Sequence, residues 1–201
     1  TSASGSYWVP ARIDLDTFLS KIDARIINDV IVIKGPYSTI YGPGFNFVDV
    51  ELLPTPRFQN GYETHARSSV DFKTNGEQWS GRQSFWGGDD KFGFRIGYGH
   101  RTGNDYETGD DTGIPSSFKS RDVDLALGYD LSDHSRVEFS YLRLDQTDVE
   151  FPGQAFDIDF LVANAYDLTY ILEDADYFDR LDIDVWHNKT RFEGSAQRAG
   201  K

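Results

Sequence analysis

Along residues 58–201, apolar and polar positions alternate with a period of two, and clusters of Gly, Asp, Ser and Asn interrupt them repeatedly. Phe92, Phe94, Ile96 and Tyr98 fall on one side of an extended segment, and Gly93, Arg95, Gly97 and Gly99 on the other. Val123, Leu125, Leu127, Tyr129 and Leu131 oppose Asp122, Asp124, Ala126, Gly128 and Asp130 in the same way. Leu181, Ile183 and Val185 oppose Asp182 and Asp184. Successive strand side chains point to opposite faces, so each strand meets an apolar medium on one side and a polar one on the other. The pattern predicts strands over Tyr62–Lys73, Gln78–Gly87, Phe92–Thr102, Arg121–Leu131, Arg136–Thr147, Asn164–Leu172 and Phe178–Phe192. The fifth is less regular: Val137, Phe139 and Tyr141 give way to Leu142 and Leu144.

The connections alternate in length. Segments 88–91, 132–135 and 173–176 are tight, whereas 103–120 and 148–163 read as long loops. Thr74–Glu77 is a short turn at the long-loop end. Outer-membrane barrels have short periplasmic turns and long extracellular loops, and their strands need only about 10 alternating residues. The predicted fold class is therefore mainly β: about seven strands of an up-and-down antiparallel meander, forming part of a transmembrane β-barrel. Plugged transporter barrels have about 22 strands, so the chain is expected to be a fragment.

Residues 1–57 are mixed in character. Tyr7-Trp8-Val9 reads as a short strand, and Asp16 is placed to cap a helix running to Asp23, with Phe18, Leu19 and Ile22 at helical spacing. Arg25–Ile33 reads as a strand apolar enough to be buried on both faces, and Phe45–Leu53 as a second strand. Pro54-Thr55-Pro56 forms a semi-rigid linker. So short a segment must dock on something larger. The expected boundary divides residues 1–57, an α+β piece, from the strands of 58–201.

Between the two strands of the first part lies Val32-Ile33-Lys34-Gly35-Pro36-Tyr37-Ser38-Thr39-Ile40-Tyr41-Gly42-Pro43-Gly44, an apolar run broken twice by Gly and Pro. A strand ending in basic-Gly-Pro and followed by x-Ser-x-x-Tyr-Gly resembles the end of the plug domain of TonB-dependent outer-membrane receptors. Lys34, Gly35, Pro36, Ser38, Tyr41, Gly42 and Gly44 fit that pattern. The sequence departs from it where the family's Arg-Ile-Glu falls on Asp29, Val30 and Ile31, and where its Gly-Gly and Asn fall on Phe47, Val48 and Glu51. The resemblance implies a plug that blocks a barrel lumen, a TonB-type periplasmic energy-coupling protein as partner, and uptake of a scarce nutrient such as a ferric siderophore, cobalamin or a glycan. It also implies outer-membrane lipid around the barrel and no covalent chemistry.

Composition narrows the picture further. There is no Cys, hence no disulfide framework or thiolate site. There is no Met, and Thr1 follows no apolar leader, which again suggests an internal or processed piece. A net charge of −13 argues against a nucleic-acid partner. Aromatics at 15% and 19 Gly suit barrels with aromatic girdles and tight turns. Trp79, Trp86, Tyr98, Tyr129, Tyr141, Tyr166 and Trp186 lie near strand ends and are expected in those girdles.

No catalytic constellation stands out and no cofactor is expected. His65, His100, His134 and His187 match no metal spacing, and Gly97-Tyr98-Gly99 lacks the third glycine and helix of a phosphate loop. Asp105, Asp110 and Asp111 cluster on a Gly-rich loop without a calcium consensus and read as a solvated extracellular loop. Arg95, Asp122 and Asp124 are candidates to face the lumen and touch plug or solute. Two other classes compete: a soluble β-sandwich glycan-binding module, its apolar faces packed together, and a small secreted β-sheet hydrolase using the surplus carboxylates.

Overall fold

The computed structural model describes residues 22–35, 46–153, 156–175 and 177–196. The expected helix from Asp16 and the strand at Tyr7–Val9 lie outside these residues, as do Pro36, Ser38, Tyr41, Gly42 and Gly44 of the motif.

Two strands come first, β1 (Ile27–Lys34) and β2 (Asn46–Leu52), paired antiparallel from Ile27 opposite Leu52 to Lys34 opposite Asn46. A short 3-10 turn, Ala24–Ile26, leads into them, so the predicted strand start at Arg25 is corrected. The other correction is burial. Val30, Ile31 and Val32 are exposed, because β2 is the only neighbour β1 has among the described residues.

The rest is strand and turn: β3 (Glu63–Lys73), β4 (Gln78–Gly88), β5 (Phe92–Gly103), β6 (Tyr106–Glu107), β7 (Gly113–Ile114), β8 (Phe118–Ser132), β9 (Ser135–Val149), β10 (Phe156–Ala175) and β11 (Phe178–Ala196). Seven of them form a single antiparallel sheet in the order β11-β10-β9-β8-β5-β4-β3. The short pair β6–β7 lies within the first long loop. The second predicted long loop, 148–163, is mostly strand: β9 runs to Val149 and β10 starts at Phe156. Pro152-Gly153 marks the real break, with Gly153 at φ +70. A bulge between Ile158 and Phe160 then shifts the alternation that would have revealed the strand.

The described residues of 22–35 and 46–57 pack on one face of the sheet, here the inner face. Ile22 and Ile26 are buried with Leu142 of β9 and Ala165 of β10, and Ile27, Val50 and Leu52 close over them. A second apolar cluster on the same face joins Leu144, Val149, Ile158, Leu161 and Ala163. Leu142 and Leu144 interrupt the alternation of β9 because they face inward and help build these clusters.

The outer face is apolar and uncovered. Phe85, Ile96, Tyr98, Leu127, Tyr129, Tyr166, Leu168, Ile183 and Val185 are all exposed on it. Among the described residues no second sheet covers them, so the stacked core of a sandwich is absent. The upper limit of this apolar surface steps down across the sheet. It lies at the tilted ring pair Phe72 and Trp79 on β3 and β4, at Tyr98 on β5, at the stacked pair Tyr141 and Tyr166 on β9 and β10, and at Val185 on β11. On β11 the row of Phe72 is reached at Glu193, eight residues beyond Val185. Eight residues are about 27 Å of strand and six strand spacings about 29 Å, so the limit slants by roughly 43° from the perpendicular to the strands. Strands in membrane barrels tilt by roughly 35–45°, so a level boundary would cut them at this slant.

Candidate functional site: a buried ion cluster on the inner face

Asp23 begins the cluster. It caps the 3-10 turn, its carboxylate accepting from the Arg25 backbone N–H at 3.0 Å and from Arg25 Nε at 2.9 Å. Capping fixes this carboxylate at the sheet surface, because the turn is seated there by Ile22 and Ile26. Arg25 reaches on to the wall, donating to Ser69 Oγ of β3 and Ser80 Oγ of β4, both at 2.9 Å. Asp71 lies 3.6 Å from the same guanidinium.

Arg82 of β4 is the centre. Its side chain is 2% exposed, and Nη1 donates to Asp23 Oδ2 at 3.2 Å and to Asp122 of β8. Nη2 abuts Asp124, also of β8. The register explains the reach: Arg82 pairs with Gly99, and Gly99 pairs with Asp122. No β5 side chain stands between them. A Cβ at Gly97 would collide with Asp124 and Arg82, and one at Gly99 with Asp122.

Three carboxylates thus converge on one buried guanidinium, with Arg25 at the margin. Burial pushes the Asp23 carboxyl up, but the hydrogen bonds from Arg25 and the charges of Arg82 and Arg25 outweigh it and hold the group below its ordinary value. A buried charge network of this kind depends on every member, because removing one strands the others in low dielectric.

A second polar contact ties down the linker. Arg57 donates to Asp130 of β8 at 2.8 Å, and Thr55 Oγ1 donates to Glu138 of β9 at 2.7 Å. The linker lies along glycines. A Cβ at Gly93 would strike Pro56 O, and one at Gly128 would strike Thr55 and Glu138. Phe58 N then donates to Asp89 O in the β4–β5 turn at 2.8 Å.

Of the residues nominated from sequence, Asp122 and Asp124 lie in the cluster. Arg95 shares the inner face but stays out of it, its guanidinium carbon 5.5 Å from the Trp86 ring centroid. Trp86 is therefore not a girdle residue. It faces inward opposite Arg95 and stacks on His65, which stacks in turn on Phe58. Trp186, opposite Asp167 on the same inner row, is corrected likewise. Lys34 is exposed at the end of β1, and Gly35 has φ +81. Asp105, Asp110 and Asp111 do not converge. Asp105 accepts from the Ser116 and Ser117 backbones, Asp110 takes the Thr108 hydroxyl, and Asp111 occupies a positive-φ turn position. Among the described residues no group of three His, Cys, Asp or Glu is placed to hold a metal ion.

Arg82, Asp23 and Arg25 were not anticipated. The only sequence signal is parity, which places Arg82 on the same side of its strand as Trp86 and Ser80.

No protein-family model and no curated protein matches this sequence. Solved structures do match its fold. A structure titled as the copper transporter OprC superposes with a TM-score of 0.75 at 22% identity, over 84% of this chain and 26% of its own. The ferric enterobactin receptor PfeA, in complex with BCV-L6, gives 0.59 at 16% identity, over 86% of this chain and 29% of its own. A mutant of that receptor from Pseudomonas aeruginosa, in complex with enterobactin, gives 0.59 at 16% identity over 90% and 30%. The chain spans less than a third of the length of each of these neighbours. What it shares with them is the fold: seven antiparallel strands in one sheet with a short segment seated on one face.

Proposed function

We propose that this chain is part of a TonB-dependent outer-membrane receptor, with residues 1–57 the end of the plug and 58–201 the first strands of the barrel. One observation carries the reading: the sheet is inverted in polarity. Its exposed face is apolar, and its charged side chains Arg82, Asp122 and Asp124 are buried together with Asp23 of the seated segment. A water-soluble sheet protein has the opposite arrangement. A barrel with hydrocarbon outside and a docked plug inside requires this one.

In this reading the outer face meets outer-membrane lipid, and the cluster fixes the plug end to the wall. A TonB-type partner supplies the work that loosens the plug, and a scarce nutrient passes. The solute class is a metal chelate, such as a ferric siderophore, or cobalamin or a glycan. Arg95, Asp122 and Asp124 line the path the plug occupies. The loop bearing Asp105, Asp110 and Asp111 faces the cell exterior, and the Lys34–Gly44 motif belongs to the plug. The reaction is transport, with no bond made or broken.

The test is uptake by cells expressing the native protein that carries this chain, using labelled ferric siderophores, cobalamin and oligosaccharides. Saturable accumulation that stops when the coupling protein is deleted is expected. Recovery of the protein in the soluble fraction without detergent, with a glycan retained, would instead make it a binding module.

A further inference from the structure

The first long loop is hydrogen-bonded to the connections on either side of it. On one side Asn104 N donates to Gly76 O of the β3–β4 turn at 2.7 Å, and the Asn104 side chain donates to Glu77 at 2.9 Å. On the other, Ser117 Oγ donates to Glu150 at 2.9 Å, and Glu150 N donates to Ser117 O at 2.9 Å. The most specific contact is made by Asn75. Its Nδ2 donates to Glu107 O and its Oδ1 accepts from Glu107 N, both at 2.8 Å. The side-chain amide thereby takes the place of a strand neighbour on the edge of β6 opposite β7.

This close approach requires Gly76. It has φ +75, and a Cβ there would strike Asn104 O at 2.9 Å. The same glycine makes Asn75 chemically labile, because no Cβ shields the backbone nitrogen that follows the side chain. Attack of Gly76 N on Asn75 Cγ forms the new C–N bond, and Nδ2 leaves as ammonia with the proton from Gly76 N. Water then opens the succinimide to aspartate or isoaspartate. The chain holds a second Asn-Gly pair, Asn60-Gly61, exposed just after the linker. The Asn60 side chain makes no hydrogen bond among the described residues, whereas both polar atoms of Asn75 are engaged.

We propose that Asn75 latches the first long loop to the β3–β4 turn and is a deamidation site whose conversion to a carboxylate opens the latch. Ring closure requires Asn75 Cγ to leave Glu107, so the latch protects the amide on which it depends. An aspartate in its place keeps an acceptor for Glu107 N but sets a second acceptor against Glu107 O, and it adds charge to a turn that already carries Glu77. An isoaspartate also lengthens the turn by a methylene. The loop is a fixed ledge while the amide lasts and stays released once it is lost.

The test ages the native protein that carries this chain in neutral detergent at mildly alkaline pH, and follows both asparagines by peptide mass spectrometry. In the folded protein Asn75 should deamidate about tenfold more slowly than Asn60, the retardation expected of two hydrogen bonds that must open first. In the denatured protein the two rates should converge. In parallel, hydrogen exchange should show Asn75→Asp lowering the protection of the Glu107 amide about tenfold, while Asn60→Asp leaves it unchanged. Equal deamidation rates in the folded protein overturn the inference. So does a retardation that persists after denaturation, which would belong to the local sequence, and so does full protection of the Glu107 amide in the Asn75→Asp variant. Neither readout depends on transport or on the outer face meeting lipid.

Discussion

Arg82 and Asp23 meet at 3.2 Å with side chains only 2% and 4% exposed, one from the barrel wall and one from the segment seated on it. The contact bridges 59 residues of sequence and joins the two parts of the chain through charge rather than apolar packing alone. Replacing Arg82 with Leu would leave Asp23, Asp122 and Asp124 buried without their shared cation. The expected loss is about 3–5 kcal/mol, read as a lower urea midpoint for the purified protein in detergent. Asp23→Asn keeps the hydrogen-bonding shape and should cost less. A loss as large as that of Arg82→Leu would contradict this ranking, and no loss at all would show that the charge of Asp23 is immaterial.

The pH dependence follows from Asp23. Its folded pKa lies below the unfolded carboxylate value of about 3.9. The stabilisation is therefore complete above that value and disappears as pH falls through the lower folded pKa. Docking of the Ala24–Ile26 turn should be unchanged between about pH 5 and 7 and weaken only below about pH 4. Protection of the Ile22–Ile26 amides in hydrogen exchange is the measurement, and loss already at pH 6 would contradict it.

Gly97 and Gly99 should tolerate no side chain. Gly97→Ala drives a methyl group into Asp124 and Arg82, and Gly99→Ala drives one into Asp122. Each is expected to cost about 1–3 kcal/mol by overpacking. Gly81 on the outer face is the control, since its nearest neighbour would be Ser69 O at 3.9 Å. Gly81→Ala should leave the urea midpoint within experimental error.

The linker contact can be isolated by a double-mutant cycle on Arg57→Ala and Asp130→Asn. Both side chains are partly exposed, which limits the coupling to about 1 kcal/mol. Additive effects would mean that the pair contributes nothing.

On the outer face, Leu127→Arg places a charge among Phe94, Phe139 and Leu168. At the middle of a bilayer this costs about 2–4 kcal/mol, so the assembled, heat-modifiable fraction in outer-membrane preparations should fall. Ser84→Arg, on the inner face, is the control for charge alone. If both assemble equally well, the outer face does not meet hydrocarbon.

Much of this architecture could be read from residue order. β5 and β8 have strong apolar–polar contrast, and their sheet positions follow from alternation and tight turns. β10 could not be read so far back, because the bulge at Ile158–Phe160 reverses its parity just after Pro152-Gly153. The inward Trp86 was hidden for a related reason: Gln78–Gly88 places a Trp, a Gln and at least one Gly on each face, so its sides are hard to tell apart. The ion cluster was harder still. Asp122 and Asp124 stood out as polar partners of an apolar strand, but their cation lies two strands away, across glycines whose function is visible only once the register is fixed.

The seated linker also sets a leash. Five residues, 53–57, separate the end of β2 from Phe58, and an extended chain of that length reaches about 17 Å. While Arg57 stays on Asp130, a force drawing on the β1–β2 hairpin can carry it no farther than that radius. Any larger excursion must first uproot the anchor, so the wall contact sets the outer bound of the swing.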